Sequence, residues 1–301
     1  MSEATSPSGL RARWEQFWHA EIDAAPLAAF RQGFAWTLLI YFLAWSLNAR
    51  GWLTAQGYHP PAELDPINAP HLPLLPEAAL YVVGPVFFTC LIAYIFGYQR
   101  RVVIWPVLAG AIYALQVDPI AAFTMNRLFV IGLFVLAISP EARRVPAQAS
   151  SEGSEGREAH ELQRAWPTRM LQLLVLVMYC GSGLCKTLHG DWWGGQDVLW
   201  TQVQGFYMND FAAWLVRVLP HGAWTVQQQL ALWFELLAPL LFVVRRLRPL
   251  AFVLGLGLHL VVALTMDQLI YFSLQMACFY LLFIPPSWAR RLSPGARPGP
   301  A

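Results

Sequence analysis

Lysine is almost missing from this chain. Of its 20 basic residues one is lysine, Lys186, and all the others are arginine. Charge of either sign is sparse: 13% of the 301 residues are charged, against about 25% in soluble domains. So thin a charge cover excludes an ordinary water-soluble domain. A formal net charge of +2 with scattered arginines gives no nucleic-acid footprint, and no nucleic-acid partner is expected. Cysteine is scarce as well. Cys90, Cys180, Cys185 and Cys278 all sit in apolar stretches, and none forms a CxxC pair. They read as small buried hydrophobes, so neither a disulfide framework nor a metal site is expected. A cleavable signal peptide is not expected either: the chain opens polar and mixed in charge, and its first long apolar run starts near Gly33.

What the chain has in quantity is apolar length. It is 57% hydrophobic with 14 Trp and 18 Phe, and its mean hydropathy is +0.44. A membrane-spanning helix needs about 20 mainly apolar residues. Eight candidates follow, at 29–48, 78–97, 102–117, 119–139, 169–189, 222–244, 249–266 and 268–286. The third is short and runs into Asp118-Pro119, so it could also form a tight helical hairpin with the fourth. The fold class is therefore all-α: a polytopic integral membrane helical bundle of about eight transmembrane helices, in the cell (inner) membrane.

The arginines orient it. Cytoplasmic loops collect Lys and Arg. Arg11, Arg13 and Arg31, then Arg100 and Arg101, then Arg143, Arg144, Arg157, Arg164 and Arg169, then Arg245, Arg246 and Arg248, then Arg290, Arg291 and Arg297 fall on one side if there are eight spans. The other side holds only Arg50 and Arg217. Both termini are then cytoplasmic, with residues 1–26 and 289–301 as tails around a transmembrane domain, 27–288. Within that domain 141–168, rich in Ser, Gly, Glu and Ala, reads as a flexible cytoplasmic linker. Segment 192–221 lies outside. Its aromatics, Trp192, Trp193, Trp200 and Trp214 among them, suit a headgroup-level belt or an interfacial helix contacting membrane lipid.

Ionisable residues inside spans are costly and are functional candidates by default. Lys186 lies about three residues, or about 5 Å, from the outer end of span five. It is either a snorkelling amine or a desolvated base, a role that arginine does not fill. Gly181 and Gly183 just before it would let another helix approach. His259, preceded by Gly255 and Gly257, is either a histidine hydrogen-bonded between helices or a site residue. Glu235, near mid-membrane, needs a partner or a proton, and Arg127 is the expected counter-ion. Asn126 lies beside Arg127. Asp191 and Asp197 flank the Trp-Gly turn as solvated residues or a cap for an interfacial helix.

The stretch YCGSGLCKTLHGDWWGG, Tyr179 to Gly195, resembles the signature around the catalytic lysine of vitamin K-dependent γ-carboxylase. It is still more similar to the HTTM (horizontally transferred transmembrane) proteins, its bacterial relatives, whose pattern runs Y-x-x-x-G-l-x-K-l-x-x-x-W-x-x-G. Here that pattern falls on Tyr179, Gly183, Leu184, Lys186, Trp192 or Trp193, and Gly195. AFRQGFAWTLLIY, FGYQRR, NRLFVIGLFVLAISP, WFELLAPLLFVVRRLRP, GLGLHLVVAL and FSLQMACFYLLFIPPSW resemble further landmarks of the family in the same order. The resemblance implies a membrane-embedded carboxylase-type enzyme with a reduced, vitamin K-like quinone as cofactor, Lys186 as base and His259 as its acid/base or hydrogen-bond partner. The carboxylase's second histidine, in an N-H-Y-W stretch, has no counterpart here, where the chain reads ISPEARRV; nor is its large lumenal domain expected after the last span. Relatives that help mature or export a secreted peptide imply a second role, as a non-enzymatic membrane partner of a secreted peptide or protein, acting through 192–221. A small-solute transporter is a third reading, against which the missing internal repeat counts.

Overall fold

A computed structural model describes residues 9–120, 122–145, 160–190, 192–193 and 197–292. Its elements in chain order are α1 (Leu10–His19), β1 (Glu21–Asp23), α2 (Ala25–Ser46), α3 (Ala49–Leu53), α4 (Glu77–Phe96), α5 (Arg100–Val117), α6 (Thr124–Ile138), β2 (Arg143–Val145), β3 (His160–Arg164), α7 (Trp166–His189), α8 (Val198–Val203), α9 (Asp210–Val218), α10 (His221–Val243), α11 (Arg248–Thr265), α12 (Leu269–Tyr280) and α13 (Pro286–Leu292). A 3₁₀ turn, Leu281–Phe283, extends α12.

Each expected apolar stretch is a helix: α2, α4, α5, α6, α7, α10, α11 and α12. Six of these, 18 to 24 residues long, have the length and composition to cross a membrane. The chain is an all-α polytopic membrane protein. The two shorter helices are α6 and α12 with its turn. The short member of the third-and-fourth pair is thus the fourth. Asp118 and Pro119 end α5 at Val117, and α6 begins only at Thr124. At about 1.5 Å per residue α6 is about 22 Å long. Its N-terminus is closed by side chains: Asn126 Oδ1 accepts from the Phe123 backbone N–H and from the Tyr41 hydroxyl, each at 3.1 Å. Gln275 donates to the Met125 carbonyl at 3.0 Å.

The core lies where α2, α6 and α12 meet. Phe30, Phe34, Phe129 and Phe279 are fully buried there, with ring centroids 4.9–5.8 Å apart. A Cβ at Gly132 would stand 2.5 Å from the Phe34 ring, so α6 needs its glycine to come this close to α2. Cys278 is buried and Cys90 is partly buried. Cys180 and Cys185 are exposed on the outside of α7, which corrects the expectation that all four are buried; a thiol facing lipid carries no desolvation cost that would drive it inward.

The stretch read as a flexible linker is partly built. Its two described ends are β2 and β3, which with β1 form an antiparallel sheet in the order β1-β3-β2. Residues 146–159 lie outside the described set. Asp23, at the end of β1, pairs with Arg290 of α13 at 2.6 Å, and Arg164 donates to the His19 carbonyl at 2.9 Å. The sheet therefore ties the N-terminal segment to the last helix. At the opposite end, Asn209 caps α9 by accepting from the Ala212 N–H at 2.8 Å, and it donates to the Leu264 carbonyl at 2.9 Å.

Candidate functional site

The site starts from one close helix contact. α7 and α10 pack so tightly at Gly183 that a Cβ there would lie 2.9 Å from the Leu236 backbone nitrogen. Three residues on, and hence on the same side of α7, Lys186 reaches across this contact and donates to Glu235 Oε1 at 2.6 Å. The Lys186 side chain is 23% exposed and that of Glu235 9%. The Trp192 ring covers the ammonium, its centroid 4.4 Å from Nζ. Trp192 is held in place by its carbonyl, which accepts from Gln228 at 3.0 Å and Gln229 at 2.7 Å. The lone lysine is thus neither a free snorkelling amine nor an unpaired base. It is one half of an interhelical pair under an indole.

Arg127 does not take the place expected for it. Met125, Asn126, Leu128 and Phe129 face inward on α6, so Arg127 turns outward and is exposed, and the partner of Glu235 is Lys186. Asn126 is buried, but it serves the start of α6 and the Tyr41 hydroxyl.

His259 stands in a second polar group. Its Nε2 shares a hydrogen bond of 2.7 Å with the Tyr179 hydroxyl, which shares another of 2.6 Å with the Tyr280 hydroxyl. Gly255, one turn before His259, makes room for this: a Cβ there would collide with the Tyr280 hydroxyl and stand 2.7 Å from Phe234. Tyr280 is a functional candidate that the sequence reading missed, and Tyr179 stood there only as a landmark of the family pattern, with no site role. Tyr179 could have been found, because Tyr179, Gly183 and Lys186 are spaced i, i+4, i+7 and share one helix face. Tyr280 carries no such signal.

Both polar groups border one cavity of about 920 Å³. α7, α10, α11, α12 and the start of α6 wall it, and α8 with Trp192 covers the end beside the C-terminus of α7. Lys186, Glu235, Tyr179 and His259 all line it, among apolar side chains such as Met178, Phe234, Phe272 and Met276. Two buried atoms of this lining, Glu235 Oε2 and His259 Nδ1, have no hydrogen-bond partner among the described residues. Buried polar atoms are normally satisfied. No group of three or more His, Cys, Asp or Glu among the described residues is placed to hold a metal ion.

The outer aromatics divide. Trp192 belongs to the cavity. Trp193 donates to the Thr187 carbonyl at 3.2 Å, and Trp200 lies on His221 at 4.6 Å. Trp214 stacks on Phe211 along α9, and both are partly exposed. Asp197 stands at the start of α8, but its carboxylate turns to His221 at 3.3 Å instead of capping the helix. Asp191 lies outside the described residues.

Comparison with curated proteins and with solved structures returned no match. The HTTM domain model matches residues 19–288, from the end of α1 into the start of α13, and so takes in the sheet, the cavity and both polar groups. The chain belongs to the HTTM domain family.

Proposed function

We propose that this protein is a membrane-embedded enzyme that binds a lipid-soluble quinol in the cavity and uses the Lys186–Glu235 pair to accept its proton. The observation that carries the reading is the placing of the chain's sole lysine, paired with a carboxylate, on a largely apolar cavity. Its volume of about 920 Å³ suits a ring with part of a tail, since small-molecule sites run to roughly 300–1,000 Å³. The residues fit such a group: apolar walls for its body, with Glu235 Oε2 and His259 Nδ1 still able to take a hydrogen-bond partner. A bound quinol would supply a hydroxyl proton and reducing equivalents. Lys186 Nζ donates to Glu235 Oε1 at 2.6 Å, a distance over which a proton can pass from amine to carboxylate. With that proton on Glu235, the amine of Lys186 is free to accept another. Tyr179 and Tyr280 orient His259 and connect it to no described charge. Trp192 covers one side of the ammonium.

Arg101, Arg143, Arg144 and Arg290 pair with Glu141, Glu21, Glu161 and Asp23 in and around the sheet, and this clustering of arginine at one end supports eight spans with both termini on the cytoplasmic side of a bacterial cell membrane. The test is to purify wild type, Lys186→Ala and Lys186→Arg in mild detergent, extract each, and search for quinone by mass spectrometry. Stoichiometric quinone is expected in wild type and none in Lys186→Ala. Lys186→Arg should bind it yet be inert in any turnover assay, because arginine does not release its proton. Absence of quinone from wild type would sink the reading.

A second reading has its own observation. Phe206 is 91% exposed, and in the same segment Phe211 and Trp214 of α9 are exposed too. By this reading 192–221 docks a secreted peptide or protein, and its removal abolishes function while Lys186→Arg does not.

A further inference from the structure

The wall of the cavity is incomplete on one side. Val253, Gly257 and Val261, a stripe spaced i, i+4, i+8 on α11, all line the cavity. They are also exposed on the outside of the bundle: Val253 is 71% and Val261 38% accessible, and Gly257 is exposed too. Across from them Leu230 of α10 lines the cavity and is 56% exposed. Gly255 packs inward on Phe234 and Tyr280. Gly257, two residues on, lies about 200° round the helix and so faces the other way. A Cβ at Gly257 meets nothing within 4 Å. The cavity thus reaches from the buried His259 round the α10-facing side of α11 to its outer surface. Gly257 is about 12 Å along the helix from Thr265, the outer end of α11. At that depth the surroundings are hydrocarbon, while α8 and Trp192 cover the outer end of the cavity.

We infer that the cavity opens sideways into the bilayer through a portal between α10 and α11, with Gly257 at its lip. Lipid-soluble molecules reach the Lys186–Glu235 pair through it without crossing the outer aqueous face. The inference rests on reading the cavity as a ligand site. It requires no particular ligand. A rigid apolar wall on either side and a polar pair at the end suit a flat apolar molecule with one polar end. Glycine at the lip leaves the opening as wide as the backbone allows, and a larger side chain there would project into it.

The sole lysine makes the route measurable. The full chain in lipid nanodiscs is treated at raised pH with phenyl isothiocyanate, which partitions into lipid, or with a sulfonated N-hydroxysuccinimide acetate, which does not. The adduct on Lys186 is counted by peptide mass spectrometry, the N-terminal amine being read in its own peptide. The lipophilic reagent should label wild type readily. Gly257→Leu should slow it roughly tenfold through steric blockage, with the water-soluble reagent unchanged. Gly181→Leu, on an α7 position that also has nothing within 4 Å of its Cβ, should change neither rate. If Gly257→Leu fails to fold, Val261→Phe tests the same lip. Unchanged lipophilic labelling in the lip variant, or equal slowing of both reagents, overturns the portal. Gly257-dependent labelling in a protein that carries no quinone would sink the quinol reading and leave the portal standing.

Discussion

Gly183→Leu is expected to push α7 from α10 and to cost about 3 kcal/mol of stability, the upper part of the range for overpacking. The neighbours that a Cβ would meet are the Leu236 nitrogen at 2.9 Å and the Glu235 carbonyl carbon at 3.1 Å. Backbone of a packed helix yields far less than the end of a flexible side chain. The same displacement draws Lys186, one turn on, away from Glu235. Gly181→Leu has open space and should change stability by less than about 0.5 kcal/mol. Unfolding of both variants in detergent, followed by circular dichroism, checks the contrast. Equal melting of the two would mean that the close approach of α7 and α10 is not what glycine serves there.

The second large effect concerns the ion pair. Breaking a buried pair by removing one partner costs about 3–5 kcal/mol, whereas replacing both by apolar residues of similar size is often neutral. Lys186→Met strands the more deeply buried partner: the Glu235 side chain is 9% exposed, and its Oε2 has no partner among the described residues. A loss of about 3 kcal/mol is expected. Glu235→Leu should cost less, about 1–2 kcal/mol, because Lys186 keeps the Trp192 ring and is less deeply buried. Lys186→Met with Glu235→Leu should recover most of the stability. A double variant as unstable as the sum of the singles would show that the two residues act independently.

Much of the plan of this protein is local and therefore legible. Eight apolar stretches became eight helices, because hydropathy is summed along the chain and a helix is the simplest way to satisfy its own backbone in lipid. The stretch around Lys186 was legible for a different reason: a lone lysine behind Gly183 is costly in a bilayer unless something opposes it. Asn126 was noticed as polar, but its use in closing α6 was not. The sheet joining 21–23 to 143–145 and 160–164 escaped notice because its strands are three to five residues long and the first lies far along the chain from the other two. So short a strand has no period to read.

The sequence by itself determined that the chain lives in a membrane, where its long apolar helices run, that Lys186 and His259 stand as ionisable residues inside them, and that Glu235 needed a partner or a proton. Only the tertiary structure decided which partners. Glu235 met Lys186, Arg127 turned outward, and His259 found Tyr179 with Tyr280 behind it. In water an amphipathic stripe tells which way a helix faces, since one side is wet and the other buried. In a bilayer both the lipid and the protein interior are apolar. The rotation of each helix about its axis is then set by close packing, by small residues such as Gly183 and Gly255, and by the few polar contacts that packing permits.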